Sequence, residues 1–236
     1  MQQWRALERL VALLTAVEYQ DNLLFTVIPN ARIKGHLSGY KRQIDVLVDY
    51  RYGTDIERRI IFDAKDKKRP IDVKEVEAFE GLMRDVQAKR GFLVCTNGHT
   101  KAALNRAQDH IGIRLIMQED IESLNLSQWV ECMSETCKFG LVLWDYYFYI
   151  QTGGMIAMHA VGKCDGCGKF HVWCWDCGEQ VHLEKEDHWQ CLCEPTWSWL
   201  SSSKTHETLG EPLGKSIYLL LLHQDTSYNI IDRRPL

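Results

Sequence analysis

The chain has 236 residues, 45% of them hydrophobic and 25% charged, a globular composition long enough for one large domain or two modest ones. No apolar run approaches the roughly 18 residues that a membrane-spanning helix needs, and IYLLLL (217–222) is far too short. The net charge of −4 excludes a uniform polycation.

The charge is unevenly spread. Residues 1–120 hold 20 Lys and Arg against 17 Asp and Glu, a balance of +3, whereas residues 121–236 hold 8 against 15, a balance of −7. A nucleic-acid partner is therefore expected at the N-terminal half. The opening MQQWRALERLVALL contains an acid, Glu8, and no small-residue cleavage site, so it does not read as an export signal. The expected location is cytoplasmic, with no membrane partner. In that reducing compartment the nine cysteines point to metal binding rather than disulfides.

Trp4, Leu7, Leu10, Val11, Leu14 and Val17 recur at helical spacing and predict a helix over residues 4–18. Glu8 sits at the edge of that stripe, and Glu18 falls within it if the helix runs so far. LLFTVIPNARIKG then reads as a strand interrupted at Pro29-Asn30. RQIDVLVDYR (42–51) and RRIIFDAK (58–65) alternate as strands, and the second puts Asp63 and Lys65 on one face. Tyr52-Gly53-Thr54-Asp55 is a turn signal. A three-residue loop at 53–55 pairs 52 with 56 and, counted outward, 45 with 63. Directly opposed residues project from one sheet face, so this register gathers Asp45, Asp63 and Lys65. A two-residue loop would separate the acids.

Asp72 with Glu75 reads as a capping box opening a helix whose inward stripe is Val73, Val76, Phe79, Leu82, Met83 and Val86, closed by Gly91. GFLVCTN (91–97) reads as a buried strand, TKAALNRAQDH as a helix and IRLIM (113–117) as a strand. Strand, helix, strand, helix, strand at these lengths implies parallel crossovers. The first 120 residues therefore predict a mixed α/β sheet flanked by helices. Thr96, Asn97, His99 and Thr100 read as a loop and helix N-cap. LVLWDYYFYI (141–150) reads as an aromatic-rich strand, 194–216 as a linker or irregular loop, and IYLLLL as a last buried strand.

Hydrolysis of a phosphodiester needs a divalent metal held by carboxylates, an aligned water and a nearby cation. Asp45, Asp63 and Lys65 supply the protein's share, and Mg²⁺ suits a site with one or two carboxylates. A D-x-K at a strand end is commonly a solvated face. Here the register with Asp45, the basic run Lys65, Lys67, Lys68, Arg69 and the following crossovers favour the active-site reading.

The ordered blocks R-Q-I-D-V, I-I-F-D-A-K-x-K-K-R-P-I-D-V, V-E-A-F-E-G and G-F-L-V-C-T-N-G-H-T-K-A-A resemble the Mrr-like restriction endonuclease domain of the PD-(D/E)xK nuclease superfamily. The resemblance covers about residues 4–118. It implies that Asp45 and Asp63 bind Mg²⁺ and that Lys65 positions or activates the attacking water. Many members carry Glu or Gln where this chain has Asp63. Such domains often place an acid of the first helix at the site, and Glu8 matches best by position. Arg42, Lys67, Lys68, Arg69 and Lys101 are then the expected DNA patch, and a homodimer is the family expectation.

Cys164-x-x-Cys167, Cys174-x-x-Cys177 and Cys191-x-Cys193 place six cysteines within 30 residues, the first two pairs each followed by Gly. This is the zinc-knuckle pattern, and two pairs make one closed tetrahedral site. Pairing 174/177 with 191/193 makes a small ribbon; pairing 164/167 with 174/177 is the alternative. Cys132 and Cys137 read as structural. His171, His182 and His188 read as packing or solvent-facing, with a second site as their other use. Trp173, Trp175, Trp189, Trp197 and Trp199 read mostly as packing for the ribbon.

The expected organisation is a restriction-endonuclease-like domain at 1–125 and a C-terminal region at 126–236 with a cysteine-rich zinc-binding β ribbon at about 160–195. The expected function is Mg²⁺-dependent cleavage of DNA in restriction of foreign DNA. The alternatives are repair or junction processing, a non-catalytic DNA-binding module, and a zinc-ribbon adaptor for a protein partner.

Overall fold

The computed structural model describes residues 3–53, 55–107, 110–117, 120, 129–152, 154–184, 187–201 and 216–235. They form two compact units. The first takes residues 1–18, 27–50 and 55–128; the second takes 19–26, 51–54 and 129–236.

The first unit is built on one five-stranded sheet. Its elements are α1 (Gln3–Tyr19), β1 (Phe25–Lys34), β2 (Lys41–Tyr50), β3 (Ile60–Lys65), α2 (Val73–Asp85), β4 (Arg90–Cys95), α3 (Lys101–Ala107) and β5 (Ile111–Leu115). The strand order is β1-β2-β3-β4-β5. β2 and β3 are antiparallel, while β3, β4 and β5 run parallel through the two helical crossovers. Ile61, Leu93, Val76, Phe79, Met83, Ala103 and Ile111 share one core, which seats α2 and α3 on the sheet. On β3, Phe62 alternates with Ile61 and Asp63 and stacks on Phe92 at 4.9 Å between ring centroids. Arg114 lies over the Phe92 ring at 4.0 Å and forms a two-pronged ion pair with Glu18 of α1. The sheet is thus covered by α2 and α3 on one face and tied to α1 on the other.

The capping box at Asp72 and Glu75 forms as the residues predict. Three other expectations are corrected. Gly91 does not close α2: the helix ends at Asp85, Gln87 takes the left-handed conformation (φ +58°), and Gly91 lies inside β4. A β-carbon at Gly91 would strike Phe79 and Met83, so close helix–strand packing is what requires this glycine. Pro29-Asn30 does not break β1, which runs through with Asn30 at φ +48°. The loop joining β2 to β3 is not a three-residue turn at 53–55 but spans 51–59 and contains a 3₁₀ turn at Ile56–Arg58. The stripe of α1 is only partly buried: Leu7, Leu10 and Val11 are buried, Leu14 and Val17 exposed.

The second unit is a pair of antiparallel sheets. One holds β6 (Val130–Glu131), β7 (Leu141–Thr152), β8 (Met155–Cys164), β9 (Phe170–Cys174) and β10 (Gln180–His182) in the order β10-β9-β8-β7-β6. The other holds β11 (His188–Gln190), β12 (Thr196–Ser201), β13 (Ser216–Leu222) and β14 (Tyr228–Pro235), in sequence order. A single core of Ile150, Val161, Phe170, Val172, Trp197, Leu219, Leu221 and Ile231 joins them. The segment expected to be irregular therefore contains a strand, β12, with Trp197 opposite Leu221. The rest of that segment, 202–215, lies outside the described residues.

A fully buried ion-pair cluster crosses this unit. Lys163 bonds Asp145 at 2.8 Å and also Asp232, and Arg51 reaches Asp232 at 3.0 Å. Arg51 also donates to the carbonyls of Leu23 and Phe25 and lies 4.1 Å from the Tyr146 ring centroid. Asp145 sits where β7 bulges between Trp144 and Tyr146. Burial raises the Asp232 pKa, but Lys163 and Arg51 outweigh it and hold the carboxyl below its usual range.

Candidate active site and metal centres

Val46 faces Phe62, Leu47 faces Ile61 and Val48 faces Ile60. One step outward, Asp45 stands opposite Asp63, the register the sequence predicted. Asp45 Oδ2 accepts a hydrogen bond from Ala64 N at 2.8 Å, and Lys65 Nζ lies 2.7 Å from Asp63 Oδ2. The two acids and the lysine therefore meet at the end of β3.

The electrostatics of this cluster carry chemical meaning. Burial pushes the Asp45 pKa up to about 7; the Asp63 charge and a hydrogen bond shared with Asp63 push the same way, while Ala64 N and Lys65 oppose them. Two carboxylates meet in a partly dry site, and Lys65 beside Asp63 offsets their charge only in part, so the Asp45 carboxyl stays raised. A divalent ion would relieve that repulsion, and the two carboxylates are a donor set that fits a hard divalent cation. Glu8 stands half-buried in α1. Among the charges that act on Asp45 are those of Asp63 and Lys65. Glu18 is engaged with Arg114 at 2.6 Å.

The expected DNA patch is divided by its ion pairs. Arg42 lies 3.5 Å from Asp85, whose carboxylate accepts bonds from Leu37 N, Ser38 N and Ser38 Oγ. Lys67 bonds Glu75, and Arg69 bonds Asp72 at 3.0 Å. Asn97 Nδ2 donates to Lys67 O at 2.6 Å, and Thr100 Oγ1 caps α3 by accepting from Ala103 N. Lys68 and Lys101 are exposed.

All nine cysteines are free thiols. Eight of them form two groups, Cys132, Cys137, Cys164, Cys167 and Cys174, Cys177, Cys191, Cys193, with the ligand atoms of each group within 4.8 Å of one another. Sulfurs arranged tetrahedrally at the usual Zn–S distance stand about 3.8 Å apart. The observed separations are 3.7 Å for Cys132–Cys167 and Cys137–Cys164, 3.8 Å for Cys174–Cys193 and 3.4 Å for Cys177–Cys191. Both groups thus fit zinc-binding modules. A hydrogen bond between Cys164 and Cys167 draws the Cys167 thiol down and drives Cys164 up.

Of the two pairings left open, 174/177 with 191/193 is the one that forms. Cys132 and Cys137, read as structural, complete the first centre. The available signal was Cys-x4-Cys followed by Gly140, where a β-carbon would collide with Cys164 Sγ. His171, His182 and His188 belong to neither group. His171 Nε2 instead accepts from Met133 N at 3.3 Å. Trp189, Trp197 and Trp199 pack in the core of the second unit, while Trp175 is exposed.

A mixed sheet of this order, flanked by helices, is the restriction-endonuclease-like fold. The Mrr_cat restriction endonuclease family matches residues 2–125, and the chain belongs to that family. No curated protein matches it. Among solved structures it is similar to AF1548, described as a protein of unknown function, with 17% identity and a TM-score of 0.35 over 46% of this chain and 56% of the other. It is also similar to the DNA modification-dependent restriction endonuclease AspBHI, with 17% identity and a TM-score of 0.28 over 51% of this chain and 34% of that one. The chain thus spans about half of the first structure's length and a third of the second's. Among the described residues no helix is long and apolar enough to cross a membrane.

Proposed function

We propose that the chain is a Mg²⁺-dependent DNA endonuclease that acts in restriction of foreign DNA. Residues 1–125 are its nuclease domain and residues 126–236 a C-terminal region bearing two zinc centres. The observation that carries this reading is the meeting of Asp45, Asp63 and Lys65 at one strand end.

Asp45 and Asp63 would hold the cation. When bound, Mg²⁺ neutralises charge developing on the scissile phosphate and acidifies a bound water. Lys65, held by Asp63, orients the attacking water and offsets negative charge at the phosphate. The hydrogen bond from Ala64 N fixes Asp45 Oδ2, so the carboxylate is set before substrate arrives. Glu8 is the further acid from α1 that assists the site. Lys68 and Lys101 provide the exposed cations for the DNA backbone.

The test is a cleavage assay over duplex, branched and single-stranded DNA with Mg²⁺, run beside Lys65→Ala. Loss of cleavage in a folded variant supports the reading. Unchanged cleavage removes it. Binding without cleavage by the wild type on every form, with Mg²⁺ or Mn²⁺, replaces it with a non-catalytic DNA-binding module.

A further inference from the structure

The two four-cysteine centres differ in the charge placed beside them. At the first, the chain turns after Cys167 through Gly168, whose φ is +72°. The bare α-carbon there admits Arg234 of β14: a β-carbon at Gly168 would lie 2.8 Å from Arg234 Nη1 and 3.3 Å from Cζ. Arg234 Nε is buried and has no hydrogen-bond partner among the described residues. A buried donor without an oxygen partner, set against the glycine that follows Cys167, is placed to serve the thiolates of this centre.

At the second centre the neighbour is an acid. Cys177 Sγ lies 3.9 Å from Glu179 Oε2, and Leu192 N, between Cys191 and Cys193, donates to the same oxygen at 3.2 Å. Four thiolates exceed the charge of one divalent ion by two. A guanidinium lowers that excess by one; a carboxylate raises it by one. In a partly buried site that difference decides how firmly the ion is held.

We propose that Arg234 is the charge-compensating partner of the first centre, so that the centres hold metal unequally. Cys132, Cys137, Cys164 and Cys167 retain their ion, while Cys174, Cys177, Cys191 and Cys193, beside Glu179, form the exchangeable centre. This rests on reading both groups as zinc centres.

The experiment follows zinc release from the zinc-loaded full chain into excess chromophoric chelator, with bound zinc counted by native mass spectrometry. The expected course has two phases of equal amplitude. Cys177→Ser removes the fast phase and Cys137→Ser the slow one. Arg234→Met speeds the slow phase at least about tenfold and leaves the fast phase alone, the size usual for groups that support metal ligands. Arg234→Lys, which keeps the charge, falls between. Glu179→Gln slows the fast phase. A single phase, or a slow phase unmoved by Arg234→Met, overturns the proposal. If Arg234→Met does not fold, Glu179→Gln decides, and an unchanged fast phase contradicts the proposal. A loaded chain that carries no zinc fails differently: it removes the zinc reading itself, and the inequality with it.

Discussion

Asp45 Oδ2 accepts a hydrogen bond from the backbone N–H of Ala64 at 2.8 Å. A side chain on β2 thus holds the peptide that lies between Asp63 and Lys65 on β3. The bond locks the antiparallel register where the site needs it, and fixes one oxygen of a carboxylate read as a metal ligand.

That carboxylate gives the fold a pH dependence. In the unfolded chain Asp45 titrates near its ordinary value of 3.8; in the folded, metal-free protein burial and Asp63 raise it to about 7. The folded state therefore binds the extra proton, and its relative stabilisation is full below about pH 4 and is lost as pH rises towards 7. Asp45→Asn removes the titration. Its thermal midpoint without metal should exceed that of the wild type by several degrees at pH 8, with the gain shrinking towards pH 4. A gain independent of pH would contradict the assignment.

The buried cluster of the second unit makes a separate prediction. Lys163, Asp145 and Asp232 have fully buried side chains. Lys163→Met leaves two buried carboxylates that share Arg51. Loss of one partner from such a cluster costs about 3–5 kcal/mol. Denaturant unfolding should show that loss at pH 7. A change under about 1 kcal/mol would show that the cluster is not held as described.

The basic residues should not act alike on DNA. Lys68→Ala and Lys101→Ala remove exposed cations, and each should weaken binding and lower the slope of log affinity against log salt by about one. Arg42→Ala removes a partner of Asp85, and its effect on the salt slope should be smaller. Fluorescence anisotropy across a salt series distinguishes them. A larger slope change for Arg42→Ala would place the DNA elsewhere.

The register of β2 and β3 was legible in the sequence, but not for the reason first given. A three-residue turn does not join the strands: β2 ends at Tyr50, β3 begins at Ile60, and the connection spans 51–59. Val46, Leu47, Val48, Ile60, Ile61 and Phe62 are buried on both faces of the sheet, and the bond from Ala64 N to Asp45 Oδ2 fixes which residues stand opposite. The capping box and the parallel crossovers were legible for the same local reasons. Cys132 and Cys137 were not, since a Cys-x4-Cys spacing lacks the tight knuckle, and only the pairing of β6 with β7 brings them near Cys164 and Cys167. Nor was the engagement of Lys67 and Arg69 by Glu75 and Asp72, because a charge run in sequence does not reveal which members will pair.

The most direct measurement is single-turnover cleavage of duplex DNA with Mg²⁺ by the wild type, Asp63→Asn and Lys65→Ala, each verified as folded by circular dichroism. The account predicts Mg²⁺-dependent cleavage by the wild type and a loss of about a hundredfold or more in both variants. Cleavage by Lys65→Ala at the wild-type rate would contradict it.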